Sequence, residues 1–302
     1  MHPDDQKNRH PEFEYVDQSG GAIHYLEHGY PHPLVRWHHH DAYELHYIVA
    51  SSGKVFVGDY IGEFRPGNLI LTGPRLPHNW ISSPEGTGEL PLRDMVVQFE
   101  HATIEQAAGL LVELREVLPL LESAQYGIEF HGIEERADHF MHAIRESSGP
   151  TRLGYFCQLL HVLAECEDCD ILSTAKIESG IDEAAADKVN TVVNFVLQHY
   201  SEDLSLERAS GLVGMNASYF SRFFKRSTGN TFNDFVTQIR VSKACELLST
   251  SEQQISQISY AVGYNNIANF NRRFRERKHV TPREYRRQAK ERLTRGAAEA
   301  GS

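Results

Sequence analysis

The sequence has few cysteines and no long apolar segment. Only four cysteines occur among 302 residues, which excludes the class of cysteine-dense scaffolds held by disulfides. No apolar run approaches the roughly 18 residues that a membrane helix needs. The polar stretch "MHPDDQKNRHPEFEY" at the start lacks the features of a secretory signal. We therefore expect a cytoplasmic protein with no membrane partner, whose cysteines are reduced thiols.

The first part of the chain is short of basic residues. Residues 1–186 hold 12 Lys and Arg against 30 Asp and Glu, a balance of −18. From Asp187 onward there are 18 basic and 11 acidic residues, a balance of +7. The formal charge of the whole chain, −11, hides this division. An acidic body joined to a basic segment indicates two partners, one of them a polyanion.

The hydrophobic pattern changes along the chain and, like the length, suggests two domains. Residues 20–100 contain short alternating runs separated by Gly, Pro or Asp, which is typical of a β-sandwich or small barrel. Later residues place apolar side chains at helical spacing. We predict an α+β protein with a β-barrel domain and its following helices at 1–172, a linker at 173–187, an all-α domain at 188–292 and a disordered tail at 293–302.

The C-terminal region contains a repeat with an offset of 50 residues. Asn216, Phe220, Arg222, Phe224 and Thr231 recur as Asn266, Phe270, Arg272, Phe274 and Thr281, and Ala209 matches Ser259. A repeat without gaps predicts one supersecondary unit built twice. Each unit reads as a short helix, a tight turn and a second short helix, with Gly263 at the second turn. In the second unit, Ile267 is expected to join two phenylalanines in the core.

The outward faces of the two second helices carry small polar residues and arginine. Such a helix can approach the major groove, where Arg bonds guanine edges and neighbouring cations hold phosphates. A solvated surface is the alternative, but two matched faces and the basic bias favour DNA. The residues expected to contact DNA are Asn216, Ser218, Tyr219, Ser221, Arg222, Lys225, Asn266, Ala268, Asn269, Asn271, Arg272 and Arg275.

A long motif dominates this region: "ISQISYAVGYNNIANFNRRFRERKHVTPREYRR", preceded by Arg240, Ala244, Leu247 and Leu248. Together they resemble the DNA-binding domain of the AraC family of bacterial transcription regulators, over residues 188–290. The resemblance implies two helix-turn-helix units joined by one long helix. It also implies promoter DNA, RNA polymerase and a second copy of the chain as partners. His279 stands where the family usually has Gly, and Asn271 where it often has Ser, which puts a turn and the base preference in question.

Two short motifs in the N-terminal region concentrate histidines. "WHHHDAYELHY" holds His38, His40, Glu44 and His46, and "GPRLPHNW" adds His78. Even spacing would place the first four on one face of a continuous strand. The order His-x-His, then Glu, then a distant His resembles the metal set of cupin barrels. The flanking pattern departs from the cupin motifs at Ser51, Gly73, Arg75 and Ser82. The resemblance implies that this domain is a cupin-like β-barrel.

Three roles are open for this set. AraC-type sensor domains resemble cupins and usually hold a small effector without metal, here a sugar or an organic or aromatic acid. A transition metal on His38, His40, Glu44 and His78 is the second role, and structural histidines are the third. We favour an effector-controlled regulator that is not an enzyme and has no cofactor, over a metal-dependent cupin enzyme with an appended DNA-binding domain. The expected effector-binding residues are Arg36, His38, His40, Glu44, His46, His78 and Trp80.

Overall fold

The computed structural model describes residues 21–31, 37–83, 89–174 and 183–299. Two compact units divide the chain, and the first boundary between them lies between Val189 and Asn190. Arg36 and most of the predicted linker at 173–187 lie outside the described residues. Within the described ranges, no helix combines the length and the apolar character that crossing a bilayer requires.

In the described part of the N-terminal unit, nine strands form two antiparallel sheets. They are β1 (Ile23–Tyr30), β2 (Tyr43–Ile48), β3 (Gly53–Val57), β4 (Tyr60–Phe64), β5 (Leu69–Thr72), β6 (His78–Ser82), β7 (Leu90–Phe99), β8 (Ile128–Phe130) and β9 (Cys169–Ile171). The larger sheet has the order β1-β7-β2-β5-β8-β9, and the smaller has β4-β3-β6. Ile48 and Ile70 of the larger sheet share a core with Val55 and Trp80 of the smaller. The two sheets therefore face each other, as the predicted cupin-like barrel requires.

Four helices of this unit pack against the larger sheet: α1 (His101–Leu110), α2 (Leu118–Ser123), α3 (Glu134–Glu146) and α4 (Gly149–Ala164). Met141 and Leu159 of these helices share a core with Leu45 and Val97 of the sheet. The helices predicted to follow the barrel are present, and two short strands, β8 and β9, lie among them. Three-residue strands have too little periodicity to be recognised from sequence, and pairing with β5 places them in the sheet.

Strand β2 separates two environments by the alternation of its side chains. Tyr43 and Leu45 join the core beneath the helices. Glu44 and His46 point the other way and contact side chains of β6 in the smaller sheet. The same alternation in β7 brings Gln98 to Glu44. Polar side chains are therefore enclosed between the two sheets.

The C-terminal unit is helical. Its helices are α5 (Glu183–His199), α6 (Leu206–Leu212), α7 (Ala217–Thr228), α8 (Phe232–Thr250), α9 (Ile255–Ala261), α10 (Ile267–Lys278) and α11 (Pro282–Glu299). Near the start of α8, Phe232 contacts the ring of Phe220, and Phe235 contacts the ring of Phe224. Near the end of α8, Leu248 joins the core of the second helix-turn-helix. The prediction of two helix-turn-helix units joined by one long helix is confirmed.

The offset of 50 residues holds for the second helix of each helix-turn-helix, but the first helices are offset by 49. Helices α7 and α10 begin 50 residues apart, and so do α8 and α11. Helices α6 and α9 begin 49 residues apart, as do the turn glycines Gly214 (φ 65°) and Gly263 (φ 89°). The gapless repeat, with Ala209 matched to Ser259, is therefore wrong before the second helix. The loop that follows Gly263 contains one extra residue.

The end of α11 corrects a second prediction. The helix continues to Glu299, so the disordered tail predicted for 293–302 is wrong for residues 293–299. Arg, Ala and Glu are strong helix formers, and they extend a helix that has already begun. Residues 300–302 lie outside the described residues.

Candidate functional site: two polar helix faces and a buried histidine cluster

Helix α7 buries aromatic residues and exposes those predicted to contact DNA. Phe220 and Phe224 are fully buried. The Arg222 guanidinium donates to Ser218 Oγ at 3.0 Å, so both polar groups lie along the same face. Among the predicted contacts, Ser218, Tyr219, Arg222 and Lys225 are exposed and Ser221 is half-buried.

Helix α10 repeats this arrangement and adds an ion pair between Arg272 and Glu276. Ala268, Asn269, Asn271, Arg272 and Arg275 are all exposed, as predicted. Arg272 donates to Asn269 Oδ1 at 2.9 Å and to Glu276 Oε1 at 3.0 Å. Its guanidinium is therefore held along the outer face of the helix. Ile267 was expected in the core but is 40% exposed at the first position of α10.

Asn216 and Asn266 cap the two helices. Asn216 Oδ1 accepts from the Tyr219 N–H at 2.9 Å. Asn266 Oδ1 accepts from the N–H groups of Ala268 and Asn269, at 2.8 and 3.2 Å. Each side-chain oxygen therefore serves the helix start. The amide N–H₂ of each side chain remains as a hydrogen-bond donor.

A concave surface of about 800 Å³ lies beside α10 and the start of α11. Asn271, Arg272, Arg275 and Arg283 line it. Sequence analysis missed Arg283, although it lies in the first turn of a helix, where backbone N–H groups also favour anions. The lining also includes Glu276, paired with Arg272, and apolar side chains, but three guanidinium groups against one carboxylate leave a positive surface that is suited to a polyanion.

His38, His40, Glu44 and His78 converge inside the barrel, and one ligand atom from each lies within 4.8 Å of the others. Glu44 is on β2 and His78 is on β6, in the opposite sheet. The even spacing would have placed these side chains on one face of a continuous strand, but the strand is not continuous, because β2 begins only at Tyr43. An isolated bridge between His38 and His78 brings the histidines together instead.

Backbone carbonyls orient the rings of His40 and His78. His40 Nδ1 lies 2.9 Å from Ala42 O, and His78 Nδ1 lies 2.7 Å from Leu76 O. Because a carbonyl only accepts, each Nδ1 carries a proton, and each Nε2 of a neutral ring carries a lone pair. These Nε2 atoms lie 2.8 and 3.3 Å from the Glu44 carboxylate. Two acceptors do not attract, so a proton or a cation is needed between ring and carboxylate.

Further buried polar residues surround Glu44. Gln98 Nε2 donates to Glu44 Oε2 at 2.5 Å, and His46 Nε2 bonds to Glu44 Oε1. His46 Nδ1 lies 3.6 Å from Asp94 Oδ2, to which Arg93 donates at 2.5 Å. Sequence analysis missed Gln98, Asp94 and Arg93, which it treated only as parts of a strand. The alternation of that strand was the signal for an inward Asp94 and Gln98.

The charges in this cluster follow from burial and proximity. Burial raises the pKa of Glu44, but His46 and His40 outweigh it and hold that pKa well below its ordinary value. Burial lowers the pKa of His46, but Glu44 and Asp94 raise it to about 9. The pKa of His78 is lowered, chiefly by burial. At neutral pH the cluster therefore holds an ionised carboxylate, a cationic His46 and a neutral His78.

The donor set fits a transition metal ion. Imidazole nitrogens with a carboxylate suit Zn, Fe, Ni or Cu. A histidine that ligates a metal through Nε2 usually donates Nδ1–H to a carbonyl, and His40 and His78 both do so. Among the described residues, this is the group that could hold a metal ion.

The interior also contains buried polar atoms that a small organic ligand could satisfy. Trp80 stacks on His46 with ring centroids 3.9 Å apart. Trp80 Nε1 and Gln98 Oε1 are buried and have no hydrogen-bond partner among the described residues. Such atoms are rare in folded proteins and usually indicate a water or a ligand. Trp37 lies edge-on to Phe56 at 5.9 Å, in the role of a core residue.

Comparisons with known proteins agree with both halves of this description. The model of the AraC-like ligand binding domain matches residues 20–153, and that of a helix-turn-helix domain matches residues 210–288. The chain belongs to the AraC family. In this AraC-family chain, the first match contains the histidine cluster, and the second contains both α7 and α10.

Individual relatives match a smaller part of the chain. An uncharacterized HTH-type transcriptional regulator of Staphylococcus aureus is 36% identical over 100 residues, 33% of this chain and 13% of that protein. Regulatory protein PocR of Salmonella typhimurium is 35% identical over 104 residues, 34% of each protein. The solved C-terminal domain of AraT, a response regulator from Geobacillus stearothermophilus, is 32% identical, with a TM-score of 0.33. That match covers 36% of this chain and 88% of the domain. The matched region is thus a minor part of the S. aureus and S. typhimurium relatives.

Proposed function

We propose that this protein is a sequence-specific DNA-binding transcription regulator controlled by a small effector. The observation that supports this most is the pair of exposed polar faces on α7 and α10, each lying over buried phenylalanines. The names of the relatives support a regulator over the metal-dependent enzyme. Promoter DNA and RNA polymerase are the proposed partners, and the cytoplasm is the proposed location.

Salt dependence tests the DNA-binding part of the proposal. The full-length protein would be used to select duplexes from a random pool, and its affinity for them measured at several salt concentrations. We expect log affinity to fall steeply with log salt, by a slope of about 0.9 for each phosphate contact. Arg136→Ala, on an exposed position of α3, should leave the slope unchanged. A flat salt dependence, or no enrichment of any sequence, would exclude the proposal.

The effector site proposed for this regulator is the polar interior of the barrel. Trp80 Nε1 and Gln98 Oε1 offer a donor and an acceptor, and the stacked Trp80 and His46 rings offer a flat surface. These groups suit a sugar or an organic or aromatic acid. A thermal-shift screen of such compounds should find one that stabilises the protein by about 3 kcal/mol at a concentration a hundred times its Kd. His78→Ala should remove this stabilisation, while DNA binding persists.

A transition metal at His38, His40, Glu44 and His78 is the second candidate for the same site. The Nε2 lone pair of neutral His78, 3.3 Å from the Glu44 carboxylate, favours it, because a metal ion would resolve that contact. When bound, the metal would supply a Lewis-acid centre to which an effector oxygen could bind.

Elemental analysis of the purified full-length protein separates the two candidates. A full equivalent of metal that is lost in His78→Ala and kept in the exposed control His139→Ala would establish the metal site. Metal-free protein that is stabilised by an organic acid or a sugar would establish the other. If the protein carries no metal and responds to no compound of these classes, both assignments of the site are wrong.

The active form proposed here is a homodimer. Leu110, Leu111 and Val112 are consecutive apolar residues at the end of α1, and they are 87%, 58% and 60% exposed. Contiguous exposed apolar side chains of this size usually mark an interaction surface. A second copy of the chain is the partner that this surface is proposed to bind.

A further inference from the structure

A second cavity opens in the N-terminal unit, between the β4–β5 turn and the end of β8. Its volume is about 590 Å³, within the range of small-molecule sites. It shares no lining residue with the histidine cluster. Its charged and polar lining residues include Glu63, Arg65, Asn68, Glu129, His131 and Glu134.

The carboxylates of this cavity differ in how far they are already paired. Glu63 accepts from Lys54 Nζ at 2.8 Å, so its charge is neutralised locally. Within the described ranges, Glu134 accepts a single hydrogen bond, from the neutral backbone N–H of Gly132 at 3.0 Å. Glu129 lies on β8 opposite Asp170 of β9, a like charge. Burial raises the pKa of Glu129 and Asp170 adds to that rise, whereas His131, Asn68 and Arg65 oppose it. The cavity therefore presents carboxylates that a bound cation would stabilise.

Asn68 supplies an independent sign of a missing ligand. Its side chain lines the cavity and is 9% exposed. Asn68 Nδ2 donates to Glu129 Oε1 at 2.6 Å, which fixes the amide orientation because a carboxylate only accepts. Asn68 Oδ1 is then a buried acceptor, and it has no hydrogen-bond partner among the described residues. A buried acceptor beside a carboxylate calls for a ligand with several N–H donors.

We propose that this cavity binds a small aliphatic amine through a primary ammonium group. One N–H would bond to Asn68 Oδ1, a second would bond to the Glu129 carboxylate, and the charge would offset the lining acids. A second amine on the same molecule would reach towards Glu134. An organic cation fits better than a metal ion, because these carboxylates do not form a metal-ligand group among the described residues.

Calorimetric titration of the full-length protein with 1,4-diaminobutane tests this site. We expect saturable binding of one equivalent, and no binding of 1-butanol or succinate, which have a similar length and lack the ammonium. Glu129→Gln keeps an acceptor for Asn68 Nδ2 but removes the charge, and it should weaken binding by about tenfold or more. Glu135→Gln, an exposed acid on α3 outside the lining, is the matched control and should bind as the wild type does.

Two outcomes would overturn the proposal. One is the absence of a heat signal at millimolar diamine, which would mean that the cavity holds only water. The other is equal weakening by Glu129→Gln and Glu135→Gln, which would mean general attraction of the amine to an acidic surface. Glu134→Gln is a second variant in the lining, in case the first alters folding. A cooperative thermal unfolding transition of the N-terminal unit in each variant shows that this unit is folded, and DNA binding by each variant keeps a failure here separate from a failure of the proposed regulator function.

Discussion

His279 ends α10 in a left-handed conformation, with φ 58° and ψ 4°. Fifty residues earlier, Gly229 takes the same region at φ 72°. The family resemblance expects Gly at His279, and sequence analysis left open whether this departure changes the turn. The structure keeps the turn and places the side chain in a backbone region that costs a non-glycine residue about 1–2 kcal/mol.

His279→Gly should therefore raise the free energy of unfolding, by up to about 1 kcal/mol. The relief of strain is partly offset by the greater freedom of glycine in the unfolded chain. Gly214→Ala is the matched opposite, because Gly214 has φ 65° and an added Cβ would meet no atom within 4 Å. It should lower stability through backbone strain alone. Urea unfolding of the two variants measures both effects, and a loss of stability in His279→Gly would contradict the argument.

Glu129 gives a prediction with a defined pH dependence. Burial raises its pKa in the folded state, with Asp170 adding to the rise and His131, Asn68 and Arg65 opposing it. A carboxyl with a raised folded pKa stabilises the fold below its unfolded pKa, and this stability is lost as the pH rises through the folded pKa. Glu129→Gln does not titrate. The variant should therefore gain more in melting temperature over the wild type at pH 8 than at pH 4.5, and an equal difference at both pH values would contradict this.

Among the elements, the two second helices carry the clearest prediction about specificity. Arg272 lies in the middle of α10, held by Asn269 and Glu276, where its guanidinium can turn to a guanine edge. Lys225 is exposed further along α7 and suits a phosphate. Arg272→Ala should cost about 1–3 kcal/mol on the preferred sequence and relax the base preference at one position. Lys225→Ala should weaken all sequences about equally and reduce the salt slope by about 0.9.

Selection from a randomised duplex pool compares the two variants directly. The wild-type and Lys225→Ala sequence preferences should coincide, and that of Arg272→Ala should lose information at one position. Identical preferences in both variants would show that Arg272 does not read bases.

The elements that sequence analysis predicted well are those with a strong local pattern. The alternation of "YELHYIV" predicted β2 and its inward Glu44. The helical spacing of the phenylalanines predicted the buried faces of α7 and α10. Patterns of this kind report burial on one face, which is what periodicity encodes. The inward histidines were predicted correctly as a group, although a bridge rather than a strand positions His38.

The features that escaped sequence analysis depend on contacts distant in the chain. Strand β8 has three residues and exists because β5 pairs with it. Gln98 becomes part of the histidine cluster only because β7 lies beside β2. The loop after Gly263 is one residue longer than the loop after Gly214, and a repeat counted at one fixed offset cannot detect a change in loop length. Tertiary pairing decides the positions of β8 and Gln98.

At the scale of the whole molecule, the acidic and basic parts of the sequence carry different kinds of site. Three arginines of α10 and α11 line the exposed concave surface, whereas the acidic N-terminal region holds the barrel, the histidine cluster and the second cavity. An acidic sensor domain is repelled by DNA phosphates, which restricts binding to the helical unit. The two proposed ligand sites are thus separate from the proposed DNA surface in sequence and in charge.

The proposed homodimer gives a prediction for the assembled protein. Leu110 is 87% exposed at the end of α1, so Leu110→Asp should leave the fold of the monomer nearly unchanged. In a dimer, the same change would place a charge in an apolar interface. The dimer dissociation constant should therefore rise by about tenfold or more, which corresponds to a loss of at least about 1.4 kcal/mol in the free energy of association. Leu212→Asp is the control, because Leu212 is a 46% exposed apolar residue on α6 of the helical unit.

Sedimentation velocity at several concentrations should show a dimer for the wild type and the control, and a monomer for Leu110→Asp. A wild type that sediments as a monomer at every concentration would exclude the dimer. A Leu110→Asp variant that remains dimeric would place the interface elsewhere on the chain.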